Sequence, residues 1–530
     1  MPQQILAKSA AVATGHPLGA AAGLEILREG GNAIDAAVGS MLALCVVIPG
    51  SVGLGGYGGS AVIRVARTGQ VIAVDFDSRA PLGYREGFIS GDEESTNYGA
   101  RSVSVPAVVA GLDMILRDFG AKSWREVSQP AIRLAEEGFT FDSEHQRYLN
   151  RCAPKFDPAS LKTLFATTSR SEGLPQTGDH WQRPGLARLL RRLADDGPSS
   201  FYDGEIAQHI VRFLRDRGGI LSVDDFHAYQ PQIVDPVEIV YRGLRLYTPP
   251  PPSGGITSLG IVQTVERFLQ PGNSERGAAN IEAWSASYFH VLAEATKLCW
   301  QERHKLLGDP DFVNIRIDQL VSEKSAERRA AAIDDRAPCF LPRAPRSSSG
   351  HTANVIAHDA EGNLISLTAT QGWMYGSHLV VDGMELVLNH GISRFDFEPD
   401  HPNAPAAGKR MQHNMSPLIA LQAGRPAFAY GLPGGPKIVN VTAQLVLDTI
   451  AFGATPAASI SAPRLHTVGN EPVLVSQHMP PDVVAEFERL GHAVQREDDM
   501  GGPVNVLGVG PQSGQINIAS GETIGAVAGF

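Results

Sequence analysis

The chain has 530 residues, 43% hydrophobic and 19% charged, with a formal net charge of −11. This is globular composition and more chain than one ordinary core holds, so two domains or one large layered domain are expected. An acidic chain with no long Lys/Arg run excludes a nucleic-acid partner, because neutralising phosphates needs clustered cations.

The first residues, MPQQILAKSAAVATGHPLG, lack a basic segment followed by an apolar one. No secretory signal is expected, and a soluble cytoplasmic protein is the default. HPLGAAAGLEILREGGN has helical apolar spacing and a Gly30-Gly31-Asn32 stop, and IDAAVGSMLALCVVI reads as a buried Ala-rich helix. The apolar run around MLALCVVIPG is too short to span a bilayer. Residues 53–58, GLGGYG, satisfy G-x-G-x-x-G, but a helical pattern precedes them and the strand SAVIRV follows. A dinucleotide fingerprint needs the reverse order, so these glycines read as a turn that lets backbones approach closely.

VPAVVAGLDMILRDFG, SWREVSQPAIRLAEEG, RPGLARLLRRLADDG and GEIAQHIVRFLRDRGG are amphipathic helices with glycine stops. DPVEIVYRGLRLYTPPPPSGG is a hairpin that runs into a proline turn, and SASYFHVLAEATKLCWQERHKLLGDPD is a long helix. Residues 335–350 carry three prolines and no periodicity, and read as an exposed loop. TANVIAHDAEGNLISLTAT and NMSPLIALQAGRPAFAYGLPGG then read as hairpins, VNVTAQLVLDTIAFG and DVVAEFERLGHAVQ as helices, and VNVLGVGPQSGQINIAS as two closing strands. Hairpins and helices in separate blocks predict an α+β layering of antiparallel sheet on helices. Cys45, Cys152, Cys299 and Cys339 are far apart with no CxxC pair, so neither a zinc site nor a disulfide is motivated.

Thr352 stands between the soft SSSG segment and an alternating strand. A threonine hydroxyl is a weak nucleophile that needs a base. A cut before Thr352 would give it a free α-amine with a pKa of roughly 8, able to take the hydroxyl proton itself. Threonine is also common at strand starts, where β-branching suits the backbone.

Several stretches together resemble the γ-glutamyltranspeptidase family. HPLGAAAGLEILREGGNAIDAAV is similar to its N-terminal helices. FYDGEIAQHIV, GGILSVDDFHAYQP and YTPPPPSGG are similar to its middle segment, and HVLAEATKLCWQERHKLLGDPDFV to the helix before its processing loop. TANVIAHDAEGNLISLTAT follows its T-[TS]-H-x(5)-D-x-x-G-N-x(4)-T-x-T signature, with Ala353 and Asn354 substituted; MSPLI and GLPGGPKI complete the match. The resemblance implies a four-layer αββα N-terminal nucleophile hydrolase that cleaves itself within a 335–351 processing loop. The products would be a large chain, 1–351, and a small chain, 352–530. It implies Thr352 as nucleophile and Thr370 as the threonine that orients it. Gly434 and Gly435 would supply oxyanion N–H groups. A small-molecule amide would be the substrate, with no metal or organic cofactor, and a higher oligomer stays open.

The substrate pocket departs from the family's pattern. Asp77 stands where the family has an Arg that clamps the glutamyl carboxylate, with Arg79 two residues on. Gly391 and Arg394 stand where a Gln and an Asp grip the α-amino end, and about Gly372 where an Asn follows the second threonine. His413 and Asn414 replace a Ser-Ser pair. The short segment after Arg394 implies that the family's lid is absent. Cleaving machinery kept with glutamyl recognition lost is the expectation, since a site rejects what its polar groups no longer pair. The readings kept open are a γ-glutamyltranspeptidase-like amidohydrolase or acyltransferase of altered acyl specificity, a hydrolase of a small oxamate-type amide or of a C–C bond, and an unprocessed binding scaffold.

Overall fold

The computed structural model describes residues 2–89, 96–170, 173–269, 281–334, 351–521 and 525–530. Two seven-stranded antiparallel sheets form its centre. The first runs Ala526–Gly529, Ala11–Thr14, His351–His358, Leu364–Gly372, Gly58–Arg64, Val71–Asp75, Gln232–Val234. The second runs Gln3–Ala7, Ile516–Ser520, Asn505–Val509, Arg425–Gly431, Leu418–Gln422, Leu244–Thr248, Val237–Tyr241.

Between the sheets, Ala11, Ala13, Val62 and Ile356 of the first pack on Ile419, Ala429, Leu507 and Ile518 of the second. The outer face of the first is covered by helices that include Ala33–Val47, Val108–Phe119 and Pro184–Asp196. Gly255–Leu269, Ala286–Leu306 and Lys437–Val446 cover the second. The result is an α+β fold of four layers, helix–sheet–sheet–helix, as the resemblance implies. Covering on both faces explains why Leu364–Gly372 is buried at every position, so its side chains need not alternate in polarity.

Some local details differ from the sequence reading. Asn32 does not close the first helix, Pro17–Arg28. It opens the next, its side chain accepting from the N–H groups of Ile34 and Asp35 while Asp35 reciprocates. The end strands Gln3–Ala7, Ala11–Thr14 and Ala526–Gly529 were not foreseen. They are short, carry little strand signal of their own, and pair N-terminal with C-terminal segments. The GLGGYG glycines lie between a helix and a strand, as expected. A Cβ on Gly55 would sit 2.2 Å from the Val387 carbonyl oxygen, and one on Gly56 2.7 Å from that of Thr370. The glycines therefore let this loop lie directly on the strand that carries Thr370. Cys45, Cys152 and Cys299 are free and buried. Cys339 and the loop 335–350 lie outside the described residues. Among the described residues no helix is long and apolar enough to cross a bilayer.

Candidate active site

Thr352 is the second residue of the strand His351–His358 and is buried. Its strand pairs with Leu364–Gly372, and the register shifts between His351↔Gly372 and Ala353↔Ala369. The partner strand thus carries one extra residue, a bulge that brings Thr370 and Gln371 opposite Thr352.

The hydroxyl of Thr370 has one proton and two lone pairs, and all three are used. Thr370 Oγ1 donates to the His351 carbonyl oxygen at 2.7 Å, accepts from Gly372 N–H at 2.8 Å, and accepts from Thr352 Oγ1 at 3.4 Å. One side chain therefore polarises the carbonyl before Thr352 and orients the Thr352 hydroxyl. Burial pushes the His351 imidazole down to about 4, so it is neutral near pH 7. Its ring meets Tyr148 edge-on at 4.7 Å. Asn354, one of the two signature substitutions, is also buried. It donates to Leu367 O and Thr368 Oγ1 and accepts from Asn505 of the second sheet, so it ties the sheets together beside Thr352.

Gly434 and Gly435 follow the strand Arg425–Gly431 and precede the helix Lys437–Val446. Both have positive φ, 132° and 60°. Their carbonyls accept from Lys437 and Ile438 N–H, while among the described residues their own N–H groups have no acceptor. That leaves two adjacent backbone donors at a helix N-terminus, an arrangement suited to a developing oxyanion.

A cavity of about 620 Å³ lies next to these segments, reached by residues that follow them in the chain rather than by Thr352, Thr370, Gly434 or Gly435 themselves. Trp373, which follows Gly372, and Pro436, which follows Gly435, line it. Arg151, Lys155 and Arg394 bring cationic groups to its wall, and Asp396 a carboxylate. The Arg151 guanidinium lies over the Trp373 ring at 5.4 Å, and Lys155 Nζ donates to Tyr98 Oη at 2.9 Å. Of the residues expected to recognise substrate, Arg394 and Asn414 line this cavity.

The others stand behind it or to one side. His413 is fully buried: Nδ1 accepts Met415 N–H, which leaves the ring proton on Nε2, donated to Asp77 Oδ2 at 2.5 Å. Burial raises the Asp77 carboxyl and lowers the His413 imidazole, so the histidine stays neutral. Asp77 N–H in turn donates to Asp75, which shares Arg410 with Asp309. Arg303 donates to His413 O and Asn414 Oδ1 and fixes the same segment. Arg79 points away from His413: it braces Gly408 O at 3.0 Å and reaches Asp311 at 3.4 Å. Gly391 is packed, with 2.0 Å between a built Cβ and Ser104 Oγ, and its N–H goes to Asn389. Sequence reasoning missed Arg151, Lys155 and Trp373; they come from separate segments and carry no motif.

His304, Asp396 and His401 offer ligand atoms within 4.8 Å of one another on the cavity wall. Asn403 N–H donates to His401 Nδ1, which places that ring's proton on Nε2, the atom facing His304 at 3.3 Å. As placed, the two imidazoles bond each other, Asp396 Oδ1 accepts Glu398 N–H at 3.0 Å, and Asp396 Oδ2 lies 3.8 Å from His401 Nε2.

The family model described as Gamma-glutamyltranspeptidase matches residues 19–525. The acylase ACY 1 proenzyme of Pseudomonas sp. (strain SE83) is 31% identical over 516 residues, covering 94% of this chain and 90% of that protein. The glutathione hydrolase proenzyme of Escherichia coli (strain K12) is 30% identical over 536 residues, covering 96% and 89%. Among solved structures, the cephalosporin acylase of Bacillus halodurans superposes with a TM-score of 0.88 at 28% identity, covering 100% of this chain and 97% of that one.

Proposed function

The chain belongs to the γ-glutamyltranspeptidase family of enzymes, and from that premise we propose that it cuts itself before Thr352 and then works as an amidohydrolase or acyltransferase. Residues 1–351 and 352–530 are the two resulting chains. The observation that carries this reading is the triple bonding of Thr370 Oγ1, which gathers the His351 carbonyl, the Thr352 hydroxyl and Gly372 N–H on one atom.

After the cut, the Thr352 α-amine is the base. With a pKa of roughly 8 it is neutral in part near pH 7 and takes the Oγ1 proton. Oγ1 bonds to the substrate carbonyl carbon, and the N–H groups of Gly434 and Gly435 meet the resulting oxyanion. The C–N bond then breaks, the leaving nitrogen takes the proton back, and a Thr352 ester remains. Water or a second amine attacks that ester and frees the enzyme.

The cavity wall supports an acyl group that carries a carboxylate. Arg151, Lys155 and Arg394 outnumber Asp396, and Arg394 occupies the place where an α-ammonium would need an anion. The relatives named for acylase activity are in keeping with acyl groups other than γ-glutamyl. A volume of about 620 Å³ favours a larger acyl group over an oxamate-type amide, which the same cations would attract.

Denaturing electrophoresis and N-terminal sequencing test the processing: two bands are expected, the smaller beginning Thr352-Ala353-Asn354. A single full-length band from folded protein would indicate a scaffold. Glutaryl- and γ-glutamyl-p-nitroanilide, which differ only by the α-amino group, test the cavity. The glutaryl compound should turn over faster, and the opposite order would sink the specificity reading.

A further inference from the structure

Behind the Gly434–Gly435 turn lies a loop that the steps above do not use. Asp499 Oδ1 accepts the N–H groups of both Gly501, at 3.0 Å, and Gly502, at 3.2 Å. This closes a tight loop in which Gly501 and Gly502 have φ of 119° and 41°. The Asp499 carbonyl accepts from Lys437 Nζ, and Lys437 begins the helix that follows the turn.

The loop is pressed on the turn. A Cβ built on Gly434 would sit 2.9 Å from Gly501 Cα, and one on Gly502 would meet Pro433 Cγ at 2.5 Å. Backbone therefore touches backbone, and neither side can shift without the other. The Asp499 carboxylate also opposes the effect of burial on His351, the residue before the cut, so the loop lies beside the nucleophile's strand as well.

We infer that Asp499 is a positioning residue: through the 499–502 loop and Lys437 it holds the Gly434 and Gly435 N–H groups at the angle the oxyanion needs. An oxyanion donor works only when it lies about 3 Å from the developing charge, so a small retreat of the turn weakens it while leaving ground-state binding intact. The inference rests on the reading of Gly434 and Gly435 as oxyanion donors. Asp499 touches no substrate, and its partners are two backbone N–H groups and a lysine, so the requirement is for an acceptor oxygen rather than for charge.

The test compares Asp499→Ala with Asp499→Asn in the mature, two-chain enzyme. Asp499→Ala loses both acceptor contacts and is expected to lower kcat about tenfold, with KM within about twofold of the starting enzyme. Asp499→Asn keeps an Oδ1 acceptor and is expected to recover most of kcat at an unchanged melting temperature. Equal losses in both variants, or a change confined to KM, would overturn the positioning role. An unaltered kcat in Asp499→Ala would overturn it too. Gly434→Ala serves as the control on the premise: if it leaves kcat unaltered, the oxyanion reading has failed, and any effect at Asp499 has another origin. Should Asp499→Ala fold poorly, Lys437→Met, which removes the other anchor of the loop, is expected to reproduce the loss in kcat, and a normal kcat there would count against the inference.

Discussion

Thr352 is held mainly by main chain, whereas Asn414, on the cavity wall, is held by side chains. The position of Thr352 follows from strand register, a bulge at His351/Ala353 and a glycine loop lying against Thr370 O. The position of Asn414 follows from Arg303, from its neighbour His413, and from the Asp77–His413 pair behind them. Backbone geometry survives wide sequence divergence because most residue types can supply it. Side-chain networks can be rewritten one contact at a time. This would account for a chain whose backbone around Thr352 and Thr370 resembles the family's pattern while residues such as Asp77, Gly391 and His413 depart from it.

The largest test falls on the backbone-built half. Thr352→Ala should leave a single uncut chain and lower activity by at least about a thousandfold, read by electrophoresis and by turnover. Thr352→Ser, which keeps a hydroxyl, should still be cut. Self-cleavage by the alanine variant would end the assignment. Next is Gly434→Ala. A Cβ there is strained at φ 132° and sits 2.9 Å from Gly501 Cα. The added Cβ leaves the backbone N–H in place but displaces it; since losing an oxyanion donor typically costs about 10²–10³ in kcat, a fall of up to that order with little change in KM is expected.

What was legible in the sequence divides along the same line. The two hairpins and the closing strands could be read because their spacing is fixed by strand register and turn chemistry, whereas Thr352, Thr370 and Gly434 were picked out by family resemblance. Asp77, Arg79, Gly391 and His413 were expected at the substrate, from their places in the chain. The structure instead packs Gly391 on Ser104, turns Arg79 outward to Gly408 and Asp311, and buries Asp77 with His413. Alignment gives a residue's place along the chain but not the direction of its side chain. Arg151, Lys155 and Trp373 were missed for the complementary reason: each belongs to an ordinary segment, and only tertiary packing brings them to one wall.

The side-chain half breaks differently. Asp77→Ala would leave the His413 Nε2–H buried without an acceptor. Removing one partner of a buried pair costs roughly 2–4 kcal/mol, so a clear drop in denaturation midpoint is expected, with processing before Thr352 still intact. Loss of processing at normal stability would show that the wall and the nucleophile are not independent.

The smallest effect concerns acid, and it reaches both halves. Burial lowers His351 and His358 on the nucleophile strand to about 4, and it lowers His413 on the wall. Unfolded, each would titrate near pH ~6.5. Between those values the unfolded chain binds protons that the folded chain refuses, so stability is fully present above about pH 6.5 and falls as pH drops towards 4. Each such histidine contributes a slope of up to about 1.4 kcal/mol per pH unit. His358 makes the cleanest subject, because its Nδ1 is buried with no hydrogen-bond partner among the described residues and it stands at the far end of the strand from Thr352. His358→Gln should therefore flatten the fall in unfolding free energy between pH 6.5 and 4.5 by about that amount, measured by chemical denaturation, while turnover at pH 7.5 stays near that of the unaltered enzyme. His413→Gln should flatten it similarly but also raise KM, because the His413 ring accepts Met415 N–H and donates to Asp77, and so holds the segment that carries Asn414. Equal effects on KM from the two variants would erase the distinction between the Thr352 strand and the cavity wall that carries Asn414.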